Sequence, residues 1–165
     1  MTSTPEGPRA ELVTTLIGHG NWVDAVSWAP DESQLVTSGA DNTARVWDRT
    51  TGETTAVLLG HTGRVKAVAW SPDGTRIATG SYDHTVRLWN AHAHNEIGVI
   101  GVHRDRLTDV EWLPSGDQVL TASFDGTARI WPVDVDLDDL RARAIARAYR
   151  SLTPEERSAH LLPAH

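Results

Sequence analysis

The chain contains no cysteine, which excludes disulfide scaffolds, cysteine-ligated zinc, iron–sulfur clusters and thiol catalysis. It has no run of about 18 apolar residues, so no membrane-spanning helix is predicted. It also lacks a basic excess. The net charge of −7 argues against holding nucleic acid or an anionic membrane surface by counterion release. Residues 1–11 are polar and show no signal peptide, so we expect a cytoplasmic protein.

Phenylalanine and tyrosine are scarce, with one and two copies, whereas tryptophan occurs seven times. A repeated motif would explain this ratio. Trp28, Trp70 and Trp112 are spaced 42 residues apart, and three further series keep the same step without insertion or deletion. These series are Trp47, Trp89 and Trp131; His19, His61 and His103; Asp41, Asp83 and Asp125. Six of the seven tryptophans therefore belong to two positions that recur in three copies.

Each copy predicts four short strands separated by tight turns. In the first copy, apolar and β-branched segments lie at 25–28, 34–38, 43–47 and 54–59. Segments such as Ser71-Pro72-Asp73-Gly74 are typical of the turns between them. The 165-residue chain is long enough to bury a core. The pattern predicts an all-β repeat fold.

The periodicity changes after Trp131. We predict a flexible segment at 1–10, repeats over 11–132, a linker at 133–136 and a helical tail at 137–165. Apolar residues at helical spacing between Leu137 and Leu152 indicate an amphipathic helix, with Asp138 and Asp139 in its first turn. Thr153 and Glu156 form a capping-box pattern, which favours the start of a second helix at this point.

The repeat resembles the WD40 family over roughly residues 12–132. Gly60-His61-Thr62 is similar to its Gly-His dipeptide, and Trp47-Asp48 and Trp89-Asn90 to its Trp-Asp dipeptide. The copies run over about 18–48, 60–90 and 102–132. The resemblance implies a β-propeller, whose four-stranded blades surround a channel. It also implies that the role is a non-enzymatic one, in protein–protein interaction.

The resemblance further implies a buried hydrogen-bonded tetrad of His, Thr, Asp and Trp in each blade. The expected tetrads are His19, Thr37, Asp41 and Trp47; His61, Thr79, Asp83 and Trp89; His103, Thr121, Asp125 and Trp131. The same residue types also resemble a nucleophilic triad. A catalytic site is one distinctive constellation, whereas this set recurs equally three times, so we predict a structural role and no catalytic residue.

Three blades are fewer than the four to eight that usually close a propeller. The segment Glu11–Ile17 occupies the position of an outermost strand ahead of the first copy, and no fourth strand follows Trp131. We therefore count twelve strands and expect two chains to form six blades, each donating its first strand to the other's third blade. Two alternatives remain: an open arc whose edge the tail covers, and completion by a partner's blades.

The resemblance also implies a partner-binding face on the loops that precede the inner strands and the tetrad aspartates. Tryptophan, tyrosine and arginine are frequent interface anchors, and the cations there favour an acidic or phosphorylated peptide. The alternative is that these are ordinary loop residues. The candidate residues are Trp22, Asp24, Arg64, Lys66, Tyr82, Arg104, Arg106 and Phe124.

Other functions have weaker support. His92 and His94 with Glu96 have the residue types of a metal site, but no fourth ligand lies nearby in sequence, so we predict no metal and no cofactor. The segment 147–156 is similar to the carboxyl end of bacterial STAND signalling ATPases, although the chain has no phosphate-binding loop motif. That similarity, together with one lysine among fifteen cations, suggests a bacterial source. The alternative function is a regulatory sensor subunit of such a protein.

Overall fold

The structure is a computed structural model that describes residues 11–133, which form eleven strands in three antiparallel sheets. Blade one contains β1 (Val23–Trp28), β2 (Gln34–Gly39), β3 (Ala44–Asp48) and β4 (Thr54–Leu58). Blade two contains β5 (Val65–Trp70), β6 (Arg76–Ser81), β7 (Thr85–Asn90) and β8 (Glu96–Val102). Blade three contains β9 (Leu107–Trp112), β10 (Gln118–Ser123) and β11 (Ala128–Pro132). The predicted all-β fold with three repeated blades is confirmed. No helix within 11–133 is long and apolar enough to cross a membrane.

The turn after each innermost strand depends on an aspartate and a left-handed residue. In blade two the Asp73 carboxylate accepts hydrogen bonds from the Thr75 N–H and hydroxyl, and Gly74 has a φ of 76°. In blade one Glu32 replaces the glycine and adopts a φ of 58°. The Asp31 carboxylate accepts two hydrogen bonds from Ser33 there. These bonds hold the turn in a conformation that side chains other than glycine rarely adopt.

The strand expected at Glu11–Ile17 is not formed, so the prediction of twelve strands was wrong for a single copy of the chain. Residues 11–19 have no strand pairing, and the side chains of Leu12 and Val13 are exposed. A β-strand requires a neighbour to accept and donate its ladder hydrogen bonds. The first sheet already has β4 as its outermost strand, and within residues 11–133 the segment pairs with no other sheet.

Every blade has two faces, which pack differently. We call the side that carries the tetrad threonine the front face and the opposite side the back face. Across β1 and β2, Val26 lies opposite Thr37 and Trp28 opposite Leu35, so these side chains share the front face of blade one. Val36 alternates with them and lies on the back face.

The first junction joins the back face of blade one to the front face of blade two. Val36 and Val46 of blade one belong to the same buried cluster as Val68, Trp70 and Trp89 of blade two. Since apolar burial contributes about 25 cal/mol per Å², this cluster provides much of the driving force that holds these blades together.

The second junction repeats this arrangement between blades two and three. The Trp112 indole N–H donates to the Ala69 carbonyl at 3.1 Å. A Cβ added at Gly80 would lie 2.5 Å from Val110 Cγ2, so glycine is required for this close approach. Val110 and Trp112 are buried here, as Val68 and Trp70 are at the first junction. The predicted segment at 1–10, most of the linker and the helical tail lie outside the described residues.

Candidate partner-binding face

The twelve tetrad residues lie at hydrogen-bonding distance in all three blades. In blade two the Trp89 indole N–H donates to Thr79 Oγ1 at 2.9 Å, His61 Nε2 lies 2.7 Å from the same oxygen, and His61 Nδ1 lies 2.8 Å from Asp83. The corresponding distances are 2.8, 2.8 and 2.9 Å in blade one and 2.8, 2.8 and 3.0 Å in blade three.

The donors in each tetrad follow from chemistry. An indole N–H can only donate, so the Thr79 hydroxyl accepts from Trp89 and gives its own proton to His61 Nε2. His61 is then protonated at Nδ1 and donates to Asp83. Every buried polar atom in this chain of bonds has a partner, which avoids the roughly 1–3 kcal/mol cost of an unpaired one.

Neighbouring hydrogen bonds keep the tetrad aspartates ionised. Burial raises the pKa of Asp41, but hydrogen bonds from the Thr43 hydroxyl and the Gly20 N–H outweigh it and lower the pKa to about 2. Burial is likewise outweighed at Asp83, where the Thr85 hydroxyl and N–H lower the pKa to about 2. These carboxylates are therefore charged acceptors throughout the physiological pH range.

The Thr127 hydroxyl makes the largest contribution to lowering the pKa of Asp125. In blade two, burial lowers the pKa of His61 and outweighs the hydrogen bond to Asp83, which raises it. The net lowering of this pKa favours the neutral imidazole. The threonine two residues after each tetrad aspartate thus belongs to the network. Sequence reasoning missed this role, although the 42-residue repeat of this threonine signalled it. The three residues are Thr43, Thr85 and Thr127.

The tetrads do not have the geometry of a nucleophilic site. The hydroxyls of Thr79 and Thr121 are buried, and each is engaged by both an indole and an imidazole. A catalytic hydroxyl must reach the atom it attacks. These hydroxyls instead lie buried on the front face of their sheet, where they connect the strands of one blade.

Four of the loop residues form a continuous stacked row across the blades. The Arg64 guanidinium lies 5.5 Å from the centre of the Trp22 ring and 5.6 Å from that of Tyr82. The Arg106 guanidinium lies 5.2 Å from the Tyr82 ring. Cation–π contacts of this kind contribute about 0.5–1 kcal/mol at exposed sites. We call Trp22, Arg64, Tyr82 and Arg106 the stacked row.

Two of the cations that we predicted to face a partner are paired within the chain. Arg64 of blade two donates through Nε and Nη2 to the Asp24 carboxylate of blade one, with an Nε–Oδ2 distance of 2.6 Å. Lys66 Nζ lies 3.1 Å from Asp24. The Arg64 hydrogen bond makes the largest contribution to lowering the pKa of Asp24. Sequence reasoning missed this pair, because residues 40 apart carry no local signal of contact.

The remaining candidates lie on blade three. Arg104 and Arg106 are exposed, and neither has a salt-bridge partner within residues 11–133. The Phe124 side chain is exposed, and its N–H donates to the Arg106 carbonyl at 3.0 Å. The same backbone bond joins Tyr82 to Arg64. The fold therefore brings all eight candidates to one end of the inner strands.

The possible metal ligands at the β7–β8 loop are engaged differently. The Glu96 carboxylate accepts hydrogen bonds from Arg87 Nη1 at 2.7 and 2.8 Å. No group of three or more metal-ligating side chains occurs within the described part of the chain. This arrangement ties Glu96 to the neighbouring strand β7.

Repeated antiparallel blades, each held together by a hydrogen-bonded set of indole, hydroxyl, imidazole and carboxylate groups, define a protein of the β-propeller repeat class. The family model described as "WD domain, G-beta repeat" matches residues 10–48, 52–90 and 94–132. The chain belongs to the WD40 repeat family. WD repeat-containing protein 1 of Gallus gallus is 41% identical over 46 residues, which are 26% of this chain and 8% of that protein. The chain thus spans a small part of this relative's length.

Proposed function

We propose that the chain is a non-catalytic scaffold of the cytoplasm that binds a protein or peptide through its loop face and self-assembles into a larger propeller. Members of the WD40 family generally act as platforms in protein–protein interaction. The stacked row carries the proposal, since it places tryptophan, tyrosine and arginine side by side on one surface. These residue types are enriched among interface anchors. Trp22 is 71% exposed and available to a partner.

The charges on this face favour an acidic or phosphorylated peptide. Asp24 neutralises much of the charge on Arg64 and Lys66, so these cations serve mainly to join blades one and two. The attraction for an anion rests on Arg104 and Arg106 of blade three. An arginine presents a planar fork of donors that fits a carboxylate or a phosphate. An acidic peptide would therefore place its anionic groups at blade three and its apolar groups along Trp22.

The binding of a labelled peptide tests this proposal. The probe is a fluorescein-labelled decapeptide rich in Glu, with and without a central phosphoserine, followed by fluorescence anisotropy. Arg106→Gln should weaken binding by about tenfold, since a charge-assisted hydrogen bond contributes roughly 1.5–3 kcal/mol. Ser115→Glu is the matched control. It changes the net charge equally but lies in the β9–β10 turn at the opposite end of blade three. Equal affinities for wild type and Arg106→Gln would refute the proposed face.

Self-assembly is supported by the apolar side chains exposed on the free faces of blades one and three. Val26 and Trp28 are exposed on the first, and Leu120 and Ile130 on the second. Exposed sheet faces and edges promote association. Light scattering at micromolar concentration should give about twice the mass of one 18.0 kDa chain. A folded species of 18.0 kDa would refute self-assembly.

The alternative, a regulatory sensor subunit related to STAND signalling ATPases, depends on the sequence of residues 147–156, outside the described residues. It predicts that the chain changes the ATP turnover of a STAND ATPase encoded beside it. The scaffold proposal predicts peptide binding in the absence of any ATPase. Turnover assays with and without the chain separate the two functions.

A further inference from the structure

The free faces of blades one and three expose apolar residues at repeat positions whose equivalents are buried at the junctions between blades. Val68 and Trp70, on the front face of blade two, are 6% and 8% exposed. The equivalent Val26 and Trp28 of blade one are 59% and 53% exposed. On the back faces, Leu88 of blade two is 0% exposed, whereas the equivalent Ile130 of blade three is 59% exposed. The two uncovered surfaces thus correspond to the two kinds of face that meet at the first and second junctions.

We propose that the front face of blade one binds the back face of blade three of a second copy, and that two such junctions close a two-fold symmetric ring of six blades. This inference rests on the self-assembly part of the proposed function and specifies its surfaces. Two copies give a number of blades within the usual range of four to eight, whereas three copies give nine. The contact is between different faces, so only a closed ring leaves no free face.

The second junction supplies the pattern for polar contacts at the new one. There the Trp112 indole N–H donates to the Ala69 carbonyl of the preceding blade. The equivalent donor is Trp28, and the equivalent acceptor is the Glu111 carbonyl of the second copy. The two faces also carry groups of opposite charge. Asp109 and Glu111 are exposed on the back face of blade three. On blade one the Arg49 guanidinium, which donates to the Glu32 carboxylate at 3.1 Å, lies 5.7 Å from the centre of the Trp28 ring.

The loop face supplies an aromatic contact at the same junction. Across the second junction, Arg106 of blade three lies over Tyr82 of blade two. The residue equivalent to Tyr82 in blade three is Phe124, and the residue equivalent to Arg106 in blade one is Trp22. Both are exposed in one copy. The ring places Trp22 of one copy against Phe124 of the other, which continues the stacked row around the face.

The unpaired segment at 11–17 fits the outer edge of blade three in the second copy. By the 42-residue repeat, residues 12–16 are equivalent to β4, the outer strand of blade one. The chain passes from this segment into blade one in the same way as it passes from β4 into blade two. A Cβ at Gly18 would lie 3.0 Å from Trp47 Cη2, and a Cβ at Gly60 would lie 3.3 Å from Trp89 Cη2. The segment 11–17 therefore lies where it can serve as the outer strand of a blade that precedes blade one.

The register of this strand follows from the pairing of β3 with β4. Ala44 lies opposite Leu58, and Val46 opposite Ala56. The equivalent pairing sets Ala128 of β11 opposite Leu16 of the second copy. Within residues 11–133, β11 pairs with β10 alone, so its other edge is available for this strand.

Disulfide trapping tests the register of this strand. The chain has no cysteine of its own, so only the introduced cysteines can form a disulfide. Residues directly opposite on antiparallel strands have Cα atoms about 4.5–5.5 Å apart, which suits a disulfide. The full chain carrying Leu16→Cys and Ala128→Cys should form a covalent two-chain species on mild oxidation. The matched control carries Thr15→Cys with Ala128→Cys. It should cross-link at least tenfold less, because the side chain of residue 15 points to the opposite face of the strand.

Equal cross-linking of both variants, absence of cross-linking, a disulfide within one chain, or a ladder of three and more chains would overturn the closed ring. The mass of the unmodified chain in light scattering shows whether only the proposed surfaces are wrong or self-assembly as well. A two-chain mass without cross-linking refutes only the proposed surfaces, whereas an 18.0 kDa mass refutes self-assembly as well. Peptide binding tests the scaffold role independently of both results.

Complementation tests the faces themselves. On its own, each of the variants Trp28→Glu and Ile130→Glu should be a monomer. A dimer of either variant would bury the new charge at both of the junctions between the two copies. Mixed in equal amounts, they should associate, since one of the two junctions then contains only wild-type faces. Val99→Glu, on the outer strand of blade two, is the control and should leave the mass unchanged. Failure of the mixture to associate, or loss of association in the control, would refute contact between these faces.

Discussion

Blade two and the end blades are built from the same sequence repeat, yet they differ in what they bury. Blade two is covered on both faces, so that Val68, Trp70 and Leu88 are buried. Val26, Trp28 and Ile130 occupy the same positions in the end blades and are exposed. Each blade forms its own strands and tetrad regardless of this difference. The comparison teaches that the repeat specifies the blade, whereas the neighbouring blade determines the burial of its faces.

Removing an apolar side chain should give the largest effect and the clearest contrast between blades. Leu88→Ala should lower the free energy of unfolding by about 2–5 kcal/mol, because the side chain is fully buried at the second junction. Ile130→Ala should lower it by less than about 1 kcal/mol in a Trp28→Glu background, in which the back face of blade three stays uncovered. Urea unfolding followed by tryptophan fluorescence measures both. Equal losses would contradict the contrast.

The tetrad hydroxyl should matter more in blade two than in blade three. Thr79→Val keeps the shape of the side chain but leaves the Trp89 and His61 nitrogens unpaired, at a cost of roughly 1–3 kcal/mol. The equivalent Thr121→Val should cost less, since Trp131 is partly exposed and water can accept its N–H. Denaturant midpoints of the two variants test this order. A larger loss from Thr121→Val would refute it.

Acid should remove the contribution of the tetrad carboxylates. The pKa of Asp83 is lowered to about 2 in the folded chain, so its contribution to stability is complete above about pH 4 and is lost as the pH falls through about 2. Two pKa units correspond to about 2–3 kcal/mol. The difference in unfolding free energy between wild type and Asp83→Asn should therefore disappear over this window. Asp41→Asn in blade one should behave alike. A difference that stays unchanged between pH 4 and pH 2 would contradict this origin.

The ion pair of the first junction should give the smallest effect. Asp24→Asn should cost about 1 kcal/mol, because the pair with Arg64 is partly exposed, and the loss should shrink with added salt. Thr108→Ala changes the equivalent position in blade three, where no such pair exists, and should cost little. Thermal unfolding at low and high salt compares the two. A salt-independent loss at Asp24 would show that packing is responsible.

The strands and the tetrads could be predicted from the sequence because they are local or repeated. The position of Trp89 relative to Thr79 is set by the pairing of β6 with β7, and the same spacing recurs in each copy. The turn at Glu32 lacks the expected glycine, but its aspartate was enough to indicate a turn.

Contacts that depend on a neighbour could not be predicted. The pairing of Asp24 with Arg64 joins two blades, and only their packing brings these residues together. The segment at 11–17 has the composition of a strand, but strand formation requires an available edge. The exposure of Trp28 likewise follows from what lies beside blade one, because the equivalent Trp70 is buried.

Hydrogen exchange of the full wild-type chain tests the proposed junction between copies most directly, since two equivalent segments can be compared in one molecule. The amides of 12–16 should be protected at high micromolar concentration to an extent approaching those of β4. On dilution below the association range they should lose that protection, whereas β4 should keep it, because its partner β3 belongs to the same copy. Unprotected exchange of 12–16 at every concentration would contradict a strand shared between copies.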